Sequence, residues 1–443
     1  MTETPDSSEI STKLKRIAGV AAAYPGAALK TLAHNIDIGW LKEAFRRTRR
    51  DGAVGVDGQT AEEYEKNLDE NLEILLDKAK GGEYRAPPVR RVEIPKGDKG
   101  KTRPIGIPTF EDKVLQRALA MLLEPIYEQE FLDCSYGFRP RRSAHQALET
   151  FWQKAMDMRG GWIVELDIEK FFDEIGHAKL MEVVRQRVCD GVVLRLIGKW
   201  LNAGVMEDGR IFYPGEGTPQ GGVISPLLAN IFLHEVLDTW FERDVKPRMS
   251  GPSFMVRYAD DAVLMFSKEE DARRVLEVLP KRFEKFGLRL HPEKTRLVEF
   301  GPDSRRRPTS NEQKTFVFLG FLHYWDTSPK GKKYVRRRTA SDRFRRSVRK
   351  MKAWFRKNRH RPMKEQHKGI VSRLRGHYGY FGIIGNIKKL GSFYWETVGL
   401  WRRWLSRRSQ RALVTWERMK EILTMYPLPL ARLGNGSRSE ATY

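Results

Sequence analysis

The chain has 443 residues, 81 Lys+Arg against 57 Asp+Glu, and a formal net charge of +24. Its 40% hydrophobic and 11% aromatic content supports a sizeable core, which excludes wholesale disorder, and its length suits two to three domains. Two cysteines, Cys134 and Cys189, are too few for a disulfide scaffold or a cysteine-rich zinc module, and no run approaches the ~18 consecutive apolar residues of a membrane span.

In chain order, residues 1–34 read as a flexible or loosely docked lead-in. Its apolar stretch Ile17–Leu29 is interrupted by Gly19, Tyr24, Pro25 and Gly26, so it does not read as a secretion signal. A cytoplasmic setting without a membrane partner is expected. Helical patterns follow from about Asn35 and from about Ala61 to Lys80, where Gly81-Gly82 stops the second. Val89–Pro95 and Thr102–Pro108 alternate like the arms of a hairpin with cations on both arms and in the loop Lys96–Lys101. A long helix is predicted over Glu111–Phe131.

The middle of the chain alternates strands and helices. Trp162–Asp167 is a short apolar strand ending in an acid. Ser225–Phe241 reads as a helix with Ser225 as N-cap and Pro226 at the first helical position. Phe254–Tyr258 and Ala262–Phe266 flank Ala259-Asp260-Asp261 as a hairpin with two acids at its turn, and Asp271–Phe286 is helical. Phe316–Tyr324 and Lys333–Arg337 form another hairpin around Ser328–Gly331, and everything beyond Arg343 reads helical as far as a polar tail. The architecture is α/β at the core with a basic, all-helical C-terminal region.

Charge concentrates in that last region. Arg336–Arg375 holds 17 Lys/Arg and two acids, a net +15 of the chain's +24. Phe344, Val348, Met351, Trp354, Phe355, Ile370 and Leu374 interleave the cations at spacings of three and four, which predicts amphipathic helices with one packed face. A folded basic face repels itself until a polyanion neutralises it, so nucleic acid is the indicated partner. Arg345, Arg349, Lys352 and Arg356 are candidate RNA contacts.

Chemistry is carried by Asp167 and the doublet Asp260-Asp261, acids that arrive on separate apolar strands. Buried carboxylates need compensation. Hard divalent cations supply it, and two Mg²⁺ ions shared by carboxylates can activate an attacking hydroxyl and stabilise a leaving phosphate oxygen. Taken alone, a D-D doublet reads as a solvated turn.

Three boxes together decide between these readings. Val164–Asp173 (VELDIEKFFD), Gly217–Asn230 (GTPQGGVISPLLAN) and Tyr258–Asp261 (YADD) resemble, in order and spacing, the motifs of group II intron-encoded reverse transcriptases, also called maturases. The resemblance runs from about Gly55 to the C-terminal tail. It implies a right-hand polymerase fold, with fingers at 35–160, a palm at 161–335, a basic helical thumb/maturase region at 336–433 and a tail at 434–443.

The resemblance also assigns roles. Asp167, Asp260 and Asp261 become the metal carboxylates, with the Ile168 carbonyl as a further ligand and Mn²⁺ as a possible substitute for Mg²⁺. Phe172 becomes the ring that excludes a 2′-hydroxyl, unless it packs in the core and Phe171 takes that place. Gln220 would contact the incoming nucleotide, with Gly221-Gly222 allowing close backbone approach. Arg90, Lys96 and Arg103 would grip its triphosphate, or stand as solvated cations. Lys294 would protonate or screen pyrophosphate. Phe318–Phe321 resembles the hairpin that grips the primer; His291 receives no role. Nothing after Arg411 offers a CxxC pair or histidine cluster, so the form lacking a C-terminal endonuclease is expected.

The implied activity is RNA-directed DNA synthesis on group II intron RNA, with a primer, dNTPs and target DNA as further partners. It includes assistance to splicing and retrohoming, and association with the nucleoid when acting on DNA. Two alternatives remain at this stage: a domesticated reverse transcriptase for defence or repair without an intron, and a splicing cofactor with a vestigial polymerase site. The retained Asp167, Gln220 and Asp260-Asp261 argue against the second.

Overall fold

The apolar residues of the lead-in fall on one stripe: Ile10, Ile17 and Ala21 are spaced at seven and four. In the computed structural model, which describes residues 7–95, 102–207, 210–213, 217, 221–302, 314–408 and 413–433, they are buried on a helix, Ser7–Ala23. That helix packs on Phe110–Tyr127, so of the two expectations for the lead-in, flexible or docked, residues 7–23 follow the second. Gly19, read as an interruption, sits on the exposed side, where a helical glycine costs about 1 kcal/mol and no more. Lys96 and Gln220, the loop Lys96–Lys101 and the tail 434–443 lie outside the described residues.

The described residues contain eleven strands: β1 (Val89–Pro95), β2 (Thr102–Ile107), β3 (Gly161–Leu166), β4 (Val205–Glu207), β5 (Arg210–Phe212), β6 (Ser253–Tyr258), β7 (Asp261–Phe266), β8 (Arg296–Phe300), β9 (Phe316–Phe318), β10 (Phe321–Thr327) and β11 (Lys333–Thr339). Packing divides the chain into two compact units, residues 1–143 with 164–297, and residues 144–163 with 298–443.

The first unit holds two sheets. In one, β1 and β2 form the predicted antiparallel hairpin, Arg90 opposite Ile107 and Pro95 opposite Thr102. β1 also runs parallel to β4, which gives the order β2-β1-β4-β5. The other has the order β6-β7-β3-β8, to which this unit contributes β6, β7, residues 164–166 of β3 and residues 296–297 of β8.

The helix at Ser225 differs from expectation in two ways. Ile224 is its N-cap and Ser225 is already helical and buried, which moves Pro226 from the expected first helical position to the second. Regular α-helix ends at Leu233, and wider π turns follow over His234–Thr239 and Phe241–Val245. The π turns carry the fully buried Asp238, whose partner is described below.

In the second unit β9, β10 and β11 form an antiparallel sheet. The expected single strand over Phe316–Tyr324 is split by a tight turn at Leu319 and Gly320, both in the left-handed region (φ 50° and 79°). Four helices follow, Ser341–Asn358, Met363–Phe381, Ile387–Leu405 and Trp416–Met425. Met351, Phe355, Ile370, Leu374, Leu390 and Trp401 join in their core. Burying a side chain of this size contributes roughly 1.5–3 kcal/mol. Gln366 serves that core too, donating to the Asn358 carbonyl at 2.9 Å and accepting from Trp401 Nε1 at 2.9 Å.

Candidate active site

β6 and β7 are apolar, buried strands, and Tyr258 pairs with Asp261, leaving Ala259-Asp260 as a two-residue turn. Ala259 has φ 56°, a left-handed conformation that costs a non-glycine residue on the order of 1 kcal/mol and needs support. That support is Arg257. Its guanidinium, wholly buried, donates from Nη1 to the Ala259 carbonyl and to Asn230 Oδ1, both at 2.9 Å, and from Nη2 to Ser135 Oγ at 2.8 Å.

The charge is answered by Asp238, bonded to Arg257 Nε at 2.7 Å and Nη2 at 2.5 Å. Burial alone would raise the Asp238 carboxyl, but Arg257 outweighs it and holds the group below the usual carboxylate range. Asn230 completes the frame by donating to the Gly137 carbonyl at 2.6 Å. A Cβ on Gly137 would overlap the Ala259 backbone, so only glycine fits beneath the acidic turn.

Asp167 follows β3, the neighbour of β7 in the sheet. Its backbone carbonyl accepts from His291 N at 2.8 Å, and Glu169 N donates to the Arg289 carbonyl at 2.9 Å. These bonds bracket an antiparallel Ile168–Leu290 pair, in which the Ile168 N–H and C=O turn away from Leu290. Lys294 Nζ lies 3.2 and 3.3 Å from the two Asp167 carboxylate oxygens. The ion pair is partly exposed, with the Asp167 side chain at 36% and Lys294 at 57%, so it remains open to solvent and ligands. Asp260 is half-buried and Asp261 exposed.

Among the described residues no three His, Cys, Asp or Glu side chains are gathered closely enough to cage a metal ion. The donors present are carboxylate oxygens and a backbone carbonyl, hard ligands of the kind Mg²⁺ takes, and Mg²⁺ is commonly held by one or two carboxylates together with substrate phosphates and water. The donor set therefore fits the ion.

Phe171 is buried and Phe172 half-buried, their ring centroids 5.2 Å apart and edge to face, so the core position belongs to Phe171. Arg90 is engaged by the protein itself, donating from Nε and Nη2 to the Val54 carbonyl at 3.0 and 2.8 Å, while Arg103 is exposed. Gly221, at φ 119°, has no room for a side chain; a Cβ there would sit 2.6 Å from the Gly106 carbonyl oxygen on β2. Gly217 is pinned to the segment after Phe172, its N–H donating to the Ile175 carbonyl at 2.9 Å and its carbonyl 2.6 Å from His177 Nε2.

Comparison with known proteins decides the family. A family description, "Reverse transcriptase (RNA-dependent DNA polymerase)", matches residues 94–323. The chain is a reverse transcriptase. Protein YkfC of Escherichia coli K12 is 36% identical over 353 residues, covering 70% of this chain and 87% of YkfC. Group II intron-encoded protein LtrA of Lactococcus lactis subsp. cremoris is 39% identical over 225 residues, 48% of this reverse transcriptase but only 37% of LtrA. The mitochondrial nuclear intron maturase 2 of Arabidopsis thaliana is 31% identical over 175 residues, 31% of this chain and 24% of the maturase. These relatives place this RNA-directed DNA polymerase with the group II intron-encoded members. Among its described residues, no helix is long and apolar enough to cross a membrane.

Sequence reasoning did not anticipate Arg257, Asp238 or Thr295 as parts of the site. Thr295 Oγ1 lies 3.4 Å from the Asp167 N–H and 3.3 Å from its carbonyl oxygen. A signal existed for Arg257, a cation inside an otherwise apolar strand.

Proposed function

We propose that this reverse transcriptase extends a primer 3′-OH with dNTPs on group II intron RNA, and that its basic helical region holds the intron RNA to assist splicing and retrohoming. In this reading the hairpin and helices of the first unit form fingers and palm, and the helices from Ser341 onward form the thumb/maturase surface. The carrying observation is the pairing of Asp167 with Lys294 beside the strand that begins at Asp261.

Asp167, Asp260, Asp261 and the Ile168 carbonyl would hold two Mg²⁺, with Mn²⁺ a substitute. Such ions would activate the primer hydroxyl and offset charge on the leaving pyrophosphate. Lys294 holds Asp167 before substrate arrives and is placed to donate to a phosphate oxygen once a cation takes over the carboxylate. Phe172 stands against the sugar, and Gln220 and Gly221-Gly222 border the base pair. Arg103 and Lys96 meet the triphosphate, while Arg90 supports that hairpin through Val54.

RNA binding rests on the helix Ser341–Asn358. Arg345, Arg349, Lys352 and Arg356 are all exposed on it, opposite the buried Met351 and Phe355. Primer extension on an RNA template with dNTPs, together with splicing of the intron RNA from the gene's own flank, tests the whole reading. DNA synthesis without any effect on that RNA would favour the intron-free alternative.

A further inference from the structure

The helix Phe110–Tyr127 is apolar on its buried side except for Asp112 and Gln116, one turn apart and each at most 3% exposed. Buried polar groups of this kind need every bond satisfied. Asp112 Oδ1 accepts from the Tyr84 hydroxyl and from Trp200 Nε1, the latter at 2.6 Å, and Oδ2 accepts from Gln116 Nε2 at 3.0 Å. Because the carboxylate takes the amide nitrogen, the amide oxygen of Gln116 must face the other way. There it accepts from the backbone N–H groups of Val223 at 2.7 Å and Ile224 at 3.3 Å.

Val223 and Ile224 close the glycine loop of the second motif, between Gly221-Gly222 and the helix that starts at Ser225. The same loop meets β2 on its other side, where Gly221 touches the Gly106 carbonyl. The loop is thus held from two directions. The orientation of Gln116 that meets this loop is the one that also satisfies Asp112.

We propose that Gln116, oriented by Asp112, is a positioning residue for the incoming dNTP, acting through the backbone of Gly221–Ile224. The proposal rests on the reading that this loop borders the nucleotide. The chain of bonds runs carboxylate, amide nitrogen, amide oxygen, two backbone N–H groups, and each link has one polarity. Reversing the amide would aim its NH₂ at two donors and its oxygen at a carboxylate, so the network has a single satisfied state.

Single-state polarity makes the proposal testable by exchange. Gln116→Met removes the acceptor and leaves both N–H groups without a partner. Asp112→Asn keeps an oxygen for Tyr84 and Trp200 but offers NH₂ to Gln116, which then cannot satisfy that new amide and the loop together. The double variant Asp112→Asn/Gln116→Glu restores every bond, since the glutamate carboxylate accepts from both sides. Steady-state primer extension should show the KM for dNTP raised about tenfold in each single variant, with kcat and primer–template affinity changed far less. The double variant should return to within about threefold of the parent.

Melting temperature is read in parallel. A single variant folded like the parent with unchanged KM for dNTP overturns the proposal. So does a double variant as impaired as Asp112→Asn, and so does an equal loss of dNTP and primer–template affinity, which would mark Gln116 as scaffold only. A parent that does not polymerise would instead overturn the functional reading, and the two failures are therefore separable.

Discussion

Both units bury polar groups, but those groups support different surfaces. In the first they fix backbone geometry: Arg257, paired with Asp238, under the acidic turn, and Asp112, through Gln116, behind the glycine loop. In the second, Arg337 pairs with Glu149 at 3.0 Å and Gln366 holds the turn after Asn358, inside a core that is otherwise largely aromatic and aliphatic; the buried His323 is neutral, and most cations of Ser341–Asn358 face outward. A site that does chemistry needs backbone fixed to a fraction of an ångström. A surface that holds RNA needs only charge and a stable support.

Acid exposes the contrast. Burial pushes the Asp112 carboxyl up to about 6, despite the opposing pull of Tyr84, Trp200 and Gln116. In the second unit burial first, and the nearby Arg337 second, hold His323 down to about 3. It stacks on Phe316 at 4.7 Å, and Nδ1 faces the Phe321 carbonyl at 3.1 Å.

The largest expected effect lies in the first unit. Asp167→Asn or Asp260→Asn should reduce primer extension by at least about a thousandfold, because several kcal/mol of charge stabilisation would go with the ligand. RNA binding should persist. Parent-like extension by either variant would break the division of labour at its root.

The next effect belongs to the second unit. Replacing Arg345, Arg349, Lys352 and Arg356 together with Gln should weaken structured-RNA binding by about a hundredfold near 0.1 M salt, and flatten the log–log salt dependence by about 0.9 for each cation that meets duplex phosphate. Short primer–template extension at low salt should suffer less. An unchanged salt slope would show that the RNA is held elsewhere.

Stability should respond to acid in opposite senses. His323 has a folded pKa below its unfolded value, so its contribution is present above about pH 6.5 and is lost as the pH falls towards about 3. By pH 5 the loss is about 2 kcal/mol. Asp112 has its folded pKa above the usual value, so its share of stability is present below the unfolded pKa and lost as the pH rises through about 6. Chemical unfolding of the parent and of His323→Phe at pH 7 and pH 5 separates the two. The variant should be less acid-sensitive by about that 2 kcal/mol, and identical pH slopes would refute the assignment.

The smallest effect sharpens the site. Phe172→Val should raise ribonucleotide use relative to dNTP by about tenfold, as a lost steric contact of one ring edge would allow. Unchanged discrimination would move the gate to another side chain, since Phe171 is already buried in the core.

The β6–β7 hairpin, the β1–β2 hairpin and the amphipathic basic helix were legible from sequence, although Asp261 belongs to β7 and not to the turn. Each is a local pattern: alternation ended by a turn, or apolar residues at three and four. The helix Ser7–Ala23 was not read from the sequence, although the stripe of Ile10, Ile17 and Ala21 is its signal. The pairing of Lys294 with Asp167, 127 residues apart, and of Gln116 with Val223, 107 apart, was not legible. Residue type and local spacing determined which segments would be strands and which helix would carry charge. Only the tertiary structure decided which buried donor meets which buried acceptor. That choice depends on which distant segments share an interior from which water is excluded, and there an unpaired polar atom is costly enough to select one arrangement.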